Sequence, residues 1–78
     1  MKLPRNITGL KLGKILSNFG YEFVRQTGSH VTIQHPGPPR HSVVIPMSNP
    51  IKVGTLESIL KKVANHLGLS IEDILNND

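Results

Sequence analysis

Arg25-Gln26-Thr27-Gly28-Ser29-His30-Val31-Thr32-Ile33 is the stretch whose reading decides the fold. Val31 and Ile33 are apolar and two positions apart, so alternation along a strand places both on one buried face and leaves His30, Thr32 and Gln34 on the other. Gly28 can take the positive φ that a tight link between antiparallel strands often requires. Ser29 supplies a hydroxyl and a backbone N–H within one residue of the imidazole. The stretch reads as the turn of a β-hairpin that delivers a reachable histidine to the first position of a strand. Locally the pattern fits an ordinary polar surface histidine as well as it fits a corner able to hold a phosphate.

On the N-terminal side of the turn, residues 21–26 have the aromatic and β-branched character of a strand in Tyr21, Phe23 and Val24, with a facing that alternation alone leaves open. On the other side the strand of residues 30–35 runs into Pro36-Gly37-Pro38-Pro39, a strong turn signal. A third strand over residues 40–45 carries Val43-Val44-Ile45 and stops at Pro46. Three strands in a meander follow.

Residues 1–7 read as an irregular lead-in, with Pro4 opposing an early helix start. A helix begins after Thr8 as N-cap and runs to about Asn18, with Leu12, Ile15, Leu16 and Phe19 as its apolar stripe, Lys11, Lys14 and Asn18 outward, and Gly20 as its C′ stop. After the proline-bounded loop of residues 47–50, Leu56, Ile59, Leu60, Val63 and Leu67 repeat at helical spacing. That second helix starts near Gly54 or Thr55, with Thr55 as its N-cap, ends at Gly68, and turns Lys61, Lys62 and His66 outward. Ser70 with Asp73 three residues later resembles a capping box, and Ile71, Ile74 and Leu75 give a short final helix an apolar side. The last three residues read as frayed.

The expected fold is α+β, in the order helix, three-stranded antiparallel meander, helix, short helix, with both long helices on one face of the sheet. Residues 1–78 read as one small domain. This α-β-β-β-α order is that of double-stranded-RNA-binding domains, an analogy of fold only.

Composition narrows the function. Cysteine is absent, which removes a disulfide framework, a thiolate nucleophile and cysteine-ligated zinc. No apolar run approaches the roughly 20 residues needed to cross a bilayer, so the expected location is cytoplasmic, with no membrane partner. Nine Lys and Arg against five Asp and Glu give a net charge of +4. The first 56 residues carry Lys2, Arg5, Lys11, Lys14, Arg25, Arg40 and Lys52 against Glu22 alone. That asymmetry favours a polyanionic partner such as nucleic acid, although solubility alone can account for such a charge.

The segments Asn18-Phe19-Gly20-Tyr21-Glu22-Phe23-Val24-Arg25-Gln26, Thr27-Gly28-Ser29-His30, Val44-Ile45-Pro46-Met47 and Gly54-Thr55-Leu56-Glu57-Ser58-Ile59-Leu60-Lys61 together resemble the HicA (YcfA-like) toxins of bacterial and archaeal toxin–antitoxin systems. The resemblance spans about residues 8–75, with Gly-Ser-His and Gly-Thr-Leu-x-x-Ile-Leu in the right order and spacing. It implies a double-stranded-RNA-binding-like fold, ribosome-independent cleavage of messenger RNA, a HicB-type antitoxin as partner, and His30 as the catalytic histidine. Two departures stand out. Relatives often carry a histidine two positions beyond the proline that ends the third strand, where this chain has Ser48, and residues 62–68 are about a turn longer than in compact members.

The chemistry is consistent with that resemblance. RNA carries its own nucleophile in the 2′-hydroxyl, so cleavage needs proton transfer and charge stabilisation but neither a cofactor nor, in principle, a metal. Histidine, titrating near pH ~6.5, can serve as base or acid. His35, His41 and His66 are weaker choices, because His35 and His41 lie at the far end of the hairpin from His30. None of the histidines has metal-ligand spacing. The expected RNA contacts are Arg25, Gly28, Ser29, Lys11, Lys14, Lys52 and Lys61, with Arg25 the strongest because a tight turn separates it from His30. The alternative reading is an RNA-binding module that has lost nuclease activity, with Ser48 as its mark. A third is a structural or partner-docking domain. With Tyr21, Phe19 and Phe23 all expected near the core, the chain offers no base-stacking platform.

Overall fold

The computed structural model describes residue 3, residues 6–48 and residues 50–76. The elements run α1 (Gly9–Ser17), β1 (Glu22–Thr27), β2 (His30–His35), β3 (His41–Pro46), α2 (Val53–Leu67) and α3 (Ile71–Leu75). The strands form one antiparallel sheet in the order β1-β2-β3, as the meander requires. Pro4 and the last two residues lie outside the described part.

Each helix is set by a local signal and held by an apolar stripe. Thr8 caps α1, its side-chain oxygen accepting the Lys11 amide at 3.0 Å, and Leu12, Ile15 and Leu16 are buried below it. The cap residue at the other end is Asn18, one position earlier than expected, and Gly20 makes the reversal at φ +97. In α2, Leu56, Ile59, Leu60 and Val63 are buried, and Gly68 closes the helix in the left-handed region at φ 71. Its start differs from the expectation. Lys52 occupies the cap position without a side-chain bond, and Thr55 lies inside the first turn. The preceding loop decides this, because Ile51 is buried and its amide donates to the Ile7 carbonyl, so the chain can coil directly afterwards. The capping box of α3 is complete: the Ser70 hydroxyl accepts the Asp73 amide and the Asp73 carboxylate accepts the Ser70 amide.

Val31 and Ile33 of β2 and Val43 and Ile45 of β3 point into the core with the helical stripes, Tyr21, Ile51 and Ile74. No polar side chain is buried among the described residues. The helices leave β1 uncovered. Beside it runs an open apolar groove of about 570 Å³, lined by Gly13 and Lys14 of α1 and by Tyr21, Phe23, Val31 and Ile33 among others. Phe23 is 64 % exposed there, which corrects the expectation that all three aromatic rings sit at the core.

Two glycines of α1 differ in what they make room for. A Cβ at Gly9 would collide with the Pro46 carbonyl and the Met47 Cα, so close approach of α1 to the end of β3 requires glycine. A Cβ at Gly13 would meet nothing. Gly13→Ala should therefore raise stability by about 1 kcal/mol through helix propensity alone, whereas Gly9→Ala should lower it despite the same gain. Urea unfolding followed by circular dichroism distinguishes the two signs.

Candidate nucleic-acid interface

The hairpin loop between β1 and β2 is the pair Gly28-Ser29, with Thr27 opposite His30. Gly28 has φ +59 and no non-glycine residue among those described has positive φ, so only the first loop position is left-handed, as in a II′ turn. His30 opens β2 and is exposed, paired with Thr27 on one side and Pro46 on the other. The Met47 amide donates to the Ser29 carbonyl at 2.6 Å, which fastens the turn to the strand end that leads to Ser48. Ser48 is exposed, and its carbonyl accepts the Gly9 amide at 3.0 Å.

The facing of β1 depends on one irregularity. Phe23 lies opposite Ile33 and Arg25 opposite Thr32, so Val24 is an extra residue with no partner of its own, a β-bulge. Without it Phe23 and Arg25 would share a face. With it Phe23 and Gln26 look toward the helical side, while Arg25 and Thr27 join His30 and Thr32 on the open face. Arg25 is thereby diagonal to His30 across the ladder, and it is exposed. No feature of the sequence marks Val24 as the unpaired residue.

The remaining basic residues are distributed. Lys11 and Lys14 lie on α1 and Lys61 on α2, all in the helical layer and so across the sheet from His30's face. Lys61 also lies 4.0 Å from Glu57 in an exposed i,i+4 ion pair. Lys52 is exposed at the cap of α2. Both long helices point their N-termini to the His30 end. Gly9 is bonded to Ser48 just beyond β3, whereas the C-terminal ends reach the opposite end, where Gly20 and His66 approach His35. Each N-terminus carries about half a positive charge, which adds to Arg25 and Lys52 at that end.

The other three histidines meet at the far end. His35 and His41 are direct cross-strand partners, and His66 of α2 reaches them, although the sequence places it on the outer face of the helix. The His66 ring stacks on His41 at 4.4 Å between centroids and 16° between planes, and its Nε2 lies 3.2 Å from His35 Nδ1. Tyr21 Oη lies 2.7 Å from His41 Nδ1. Burial, then the neighbouring His66, His35 and Lys62, holds the His41 pKa below its ordinary value, and burial raises that of Tyr21.

A family model described as the HicA toxin of bacterial toxin–antitoxin systems matches residues 11–64, which takes in β1, β2, β3, Ser48 and most of α2. The chain belongs to the HicA toxin family. It is thus a toxin of the toxin–antitoxin kind, and membership implies an antitoxin partner. No curated protein and no solved structure matches it. The matched HicA segment includes the Gly28-Ser29-His30 turn and ends before His66. Among the described residues, no helix is long and apolar enough to cross a membrane.

Because Gly28 alone carries the left-handed geometry of this turn, Gly28→Ala should cost about 1–2 kcal/mol even though the added Cβ meets nothing within 4 Å. Chemical denaturation measures the loss. It should exceed that of Ser29→Ala, which leaves φ negative.

Proposed function

We propose that this HicA-family chain is an endoribonuclease that cuts single-stranded or weakly structured messenger RNA independently of the ribosome, with His30 as its general acid or base. The observation that supports this reading is the exposed imidazole of His30 at a two-residue turn, on the same sheet face as Arg25 and at the end toward which both helix N-termini point.

The reaction uses groups that RNA and this face already hold. The 2′-oxygen attacks the adjacent phosphorus as its proton leaves, the P–O5′ bond breaks, and the departing 5′-oxygen takes up a proton. The products are a 2′,3′-cyclic phosphate and a 5′-hydroxyl. His30 serves at one of these transfers: as the neutral imidazole it accepts the first proton, or as the imidazolium it supplies the second. Negative charge on the phosphoryl oxygens is met by Arg25, by backbone N–H groups at Gly28 and Ser29, and by Lys52. Lys11, Lys14 and Lys61, on the helical side, guide longer RNA through the general field rather than touching the scissile phosphate.

The shape of the site agrees with this assignment. His30 does not line the apolar groove, so the substrate is met by an open surface, as suits a polymer rather than a small molecule. The open face carries Glu22, Arg25, Thr27, His30, Thr32, Gln34, Ser42, Val44 and Pro46, with Glu22 at the end away from His30 and no Phe or Tyr for bases to stack on. Recognition there is of the backbone. A HicB-type antitoxin covering His30 and Arg25 would block the reaction, and the apolar groove beside β1 offers a protein partner surface that RNA does not need.

Ser48 favours a second reading. A hydroxyl beside the turn cannot exchange protons near neutral pH as a histidine would, and on this reading the chain, with one imidazole at this end, binds RNA without cutting it.

Cleavage of a labelled RNA in EDTA by wild type and by His30→Gln separates the two. The nuclease predicts cutting that His30→Gln abolishes with binding retained, and a rate that rises with pH if His30 is the base and falls if it is the acid. Binding without cutting by either protein supports the second reading and makes Ser48→His the next variant. Arg25→Ala should weaken binding and reduce the slope of log affinity against log salt by about 0.7, the share of one phosphate contact on a single strand.

A further inference from the structure

Three of the four histidines lie where RNA cleavage at His30 has no use for them. They come from three elements: His35 ends β2, His41 begins β3, and His66 is in the last turn of α2. His66 also falls outside the segment that matches the family model. We propose that His35, His41 and His66 form an acid-sensitive latch that fastens the last turn of α2 to the far end of the sheet and lets it go when the cluster takes up protons.

The hydrogen bonds define the closed state. The Gly37 amide can only donate, and it points at His35 Nδ1 at 3.0 Å, so that nitrogen carries a lone pair. His66 Nε2, 3.2 Å from the same atom, must then carry the proton and donate. One lone pair thus holds both the proline-rich loop and α2. A proton placed on His35 Nδ1 breaks both bonds together.

What favours a positive charge at this end is the partial negative charge of the helix C-termini, with His66 in the last turn of α2; burial and the neighbouring basic groups act against it. From the residue before β1 the cluster is faced by the neutral phenol of Tyr21; from β2 by His35; from β3 by His41; and from α2 by His66 and Lys62. The charged or chargeable groups acting on His41 are His66, His35 and Lys62, with no carboxylate among them. The stack of His41 on His66 at 4.4 Å is favourable between neutral rings and repulsive between two imidazolium ions. Gly20 closes the remaining side, since a Cβ there would come within 3.2 Å of the His35 ring.

Folding lowers the His41 pKa, so the unfolded or opened chain takes the proton first. The latch contributes fully above pH ~6.5, and its contribution drains away as the pH falls below that value. The opening is local. Met47, Ser48 and Ile51, which lead into α2, are bonded to Ser29, Gly9 and Ile7 at the other end of the molecule, so His30 keeps its place while the end of α2 is released.

Amide hydrogen exchange resolved by residue tests this on the whole chain. Between pH 7.5 and 5.5 the protection factors at Ala64, Asn65, His66 and Leu67 should fall, by up to about tenfold for one proton taken up on opening, while those of Val31 and Ile33 and of the middle of α1 stay constant. His66→Gln keeps a polar side chain on a partly exposed helix position and should make the last turn of α2 equally protected at both pH values. A His41 imidazole that titrates at or above pH ~6.5 by NMR would overturn the latch. So would protection that stays flat, falls equally everywhere, or still falls in His66→Gln.

Discussion

Strand β2 is hydrogen-bonded along both edges, to β1 on one side and β3 on the other, and its six side chains alternate between a packed face and an open one. A slip of one residue would turn Val31 and Ile33 into water and His30 and Thr32 into the core. Each apolar side chain so exposed costs about 1.5–3 kcal/mol, and a polar one buried without a partner costs a similar amount. The register is therefore locked. With it are locked the place of His30 at the turn and the meeting of His35 with His41 at the opposite end.

From that fixed strand the molecule acquires two chemically different ends. At one, the Gly28-Ser29 turn, the strand end at Pro46 and the beginnings of α1 and α2 converge, bringing backbone donors, helix dipoles and an exposed imidazole together. At the other, the closing residues of α1 and α2 converge on a small aromatic cluster in which, among the described residues, the groups acting on His41 are basic. The polarity follows from connectivity. In a meander of three strands flanked by helices, β1 and β3 run parallel to each other and both helices run back, so their N-termini share an end. The helix dipoles favour an anion at one end of the protein; at the other, burial and the neighbouring His66, His35 and Lys62 disfavour a proton on His41 in spite of the helix C-termini.

Membership of the HicA family gives residues 11–64 their context: a toxin with an antitoxin partner. The proposed chemistry asks little of the scaffold, because RNA brings its own nucleophile. That economy explains how a site on an open sheet face, with no enclosing cavity, is sufficient for the reading advanced above.

The order of elements, the apolar stripes, the caps at Thr8 and Ser70 and the alternation of β2 were all legible in the sequence, because each rests on residues within one or two turns of one another. So was the exposure of His30. Three features were not. The bulge at Val24 fits the six residues of β1 onto five of β2, and it alone sets Arg25 on His30's face instead of beside Phe23. The start of α2 at Val53 is set by Ile51 entering the core and not by the nearest capping residue. His66 reads as an outward helix position, yet the antiparallel return of α2 across the sheet carries it 31 residues back to His35. Local periodicity determined which side of each element is apolar; only tertiary contact decided which polar side chains became neighbours, since that depends on register and on where long-range packing brings the chain back upon itself.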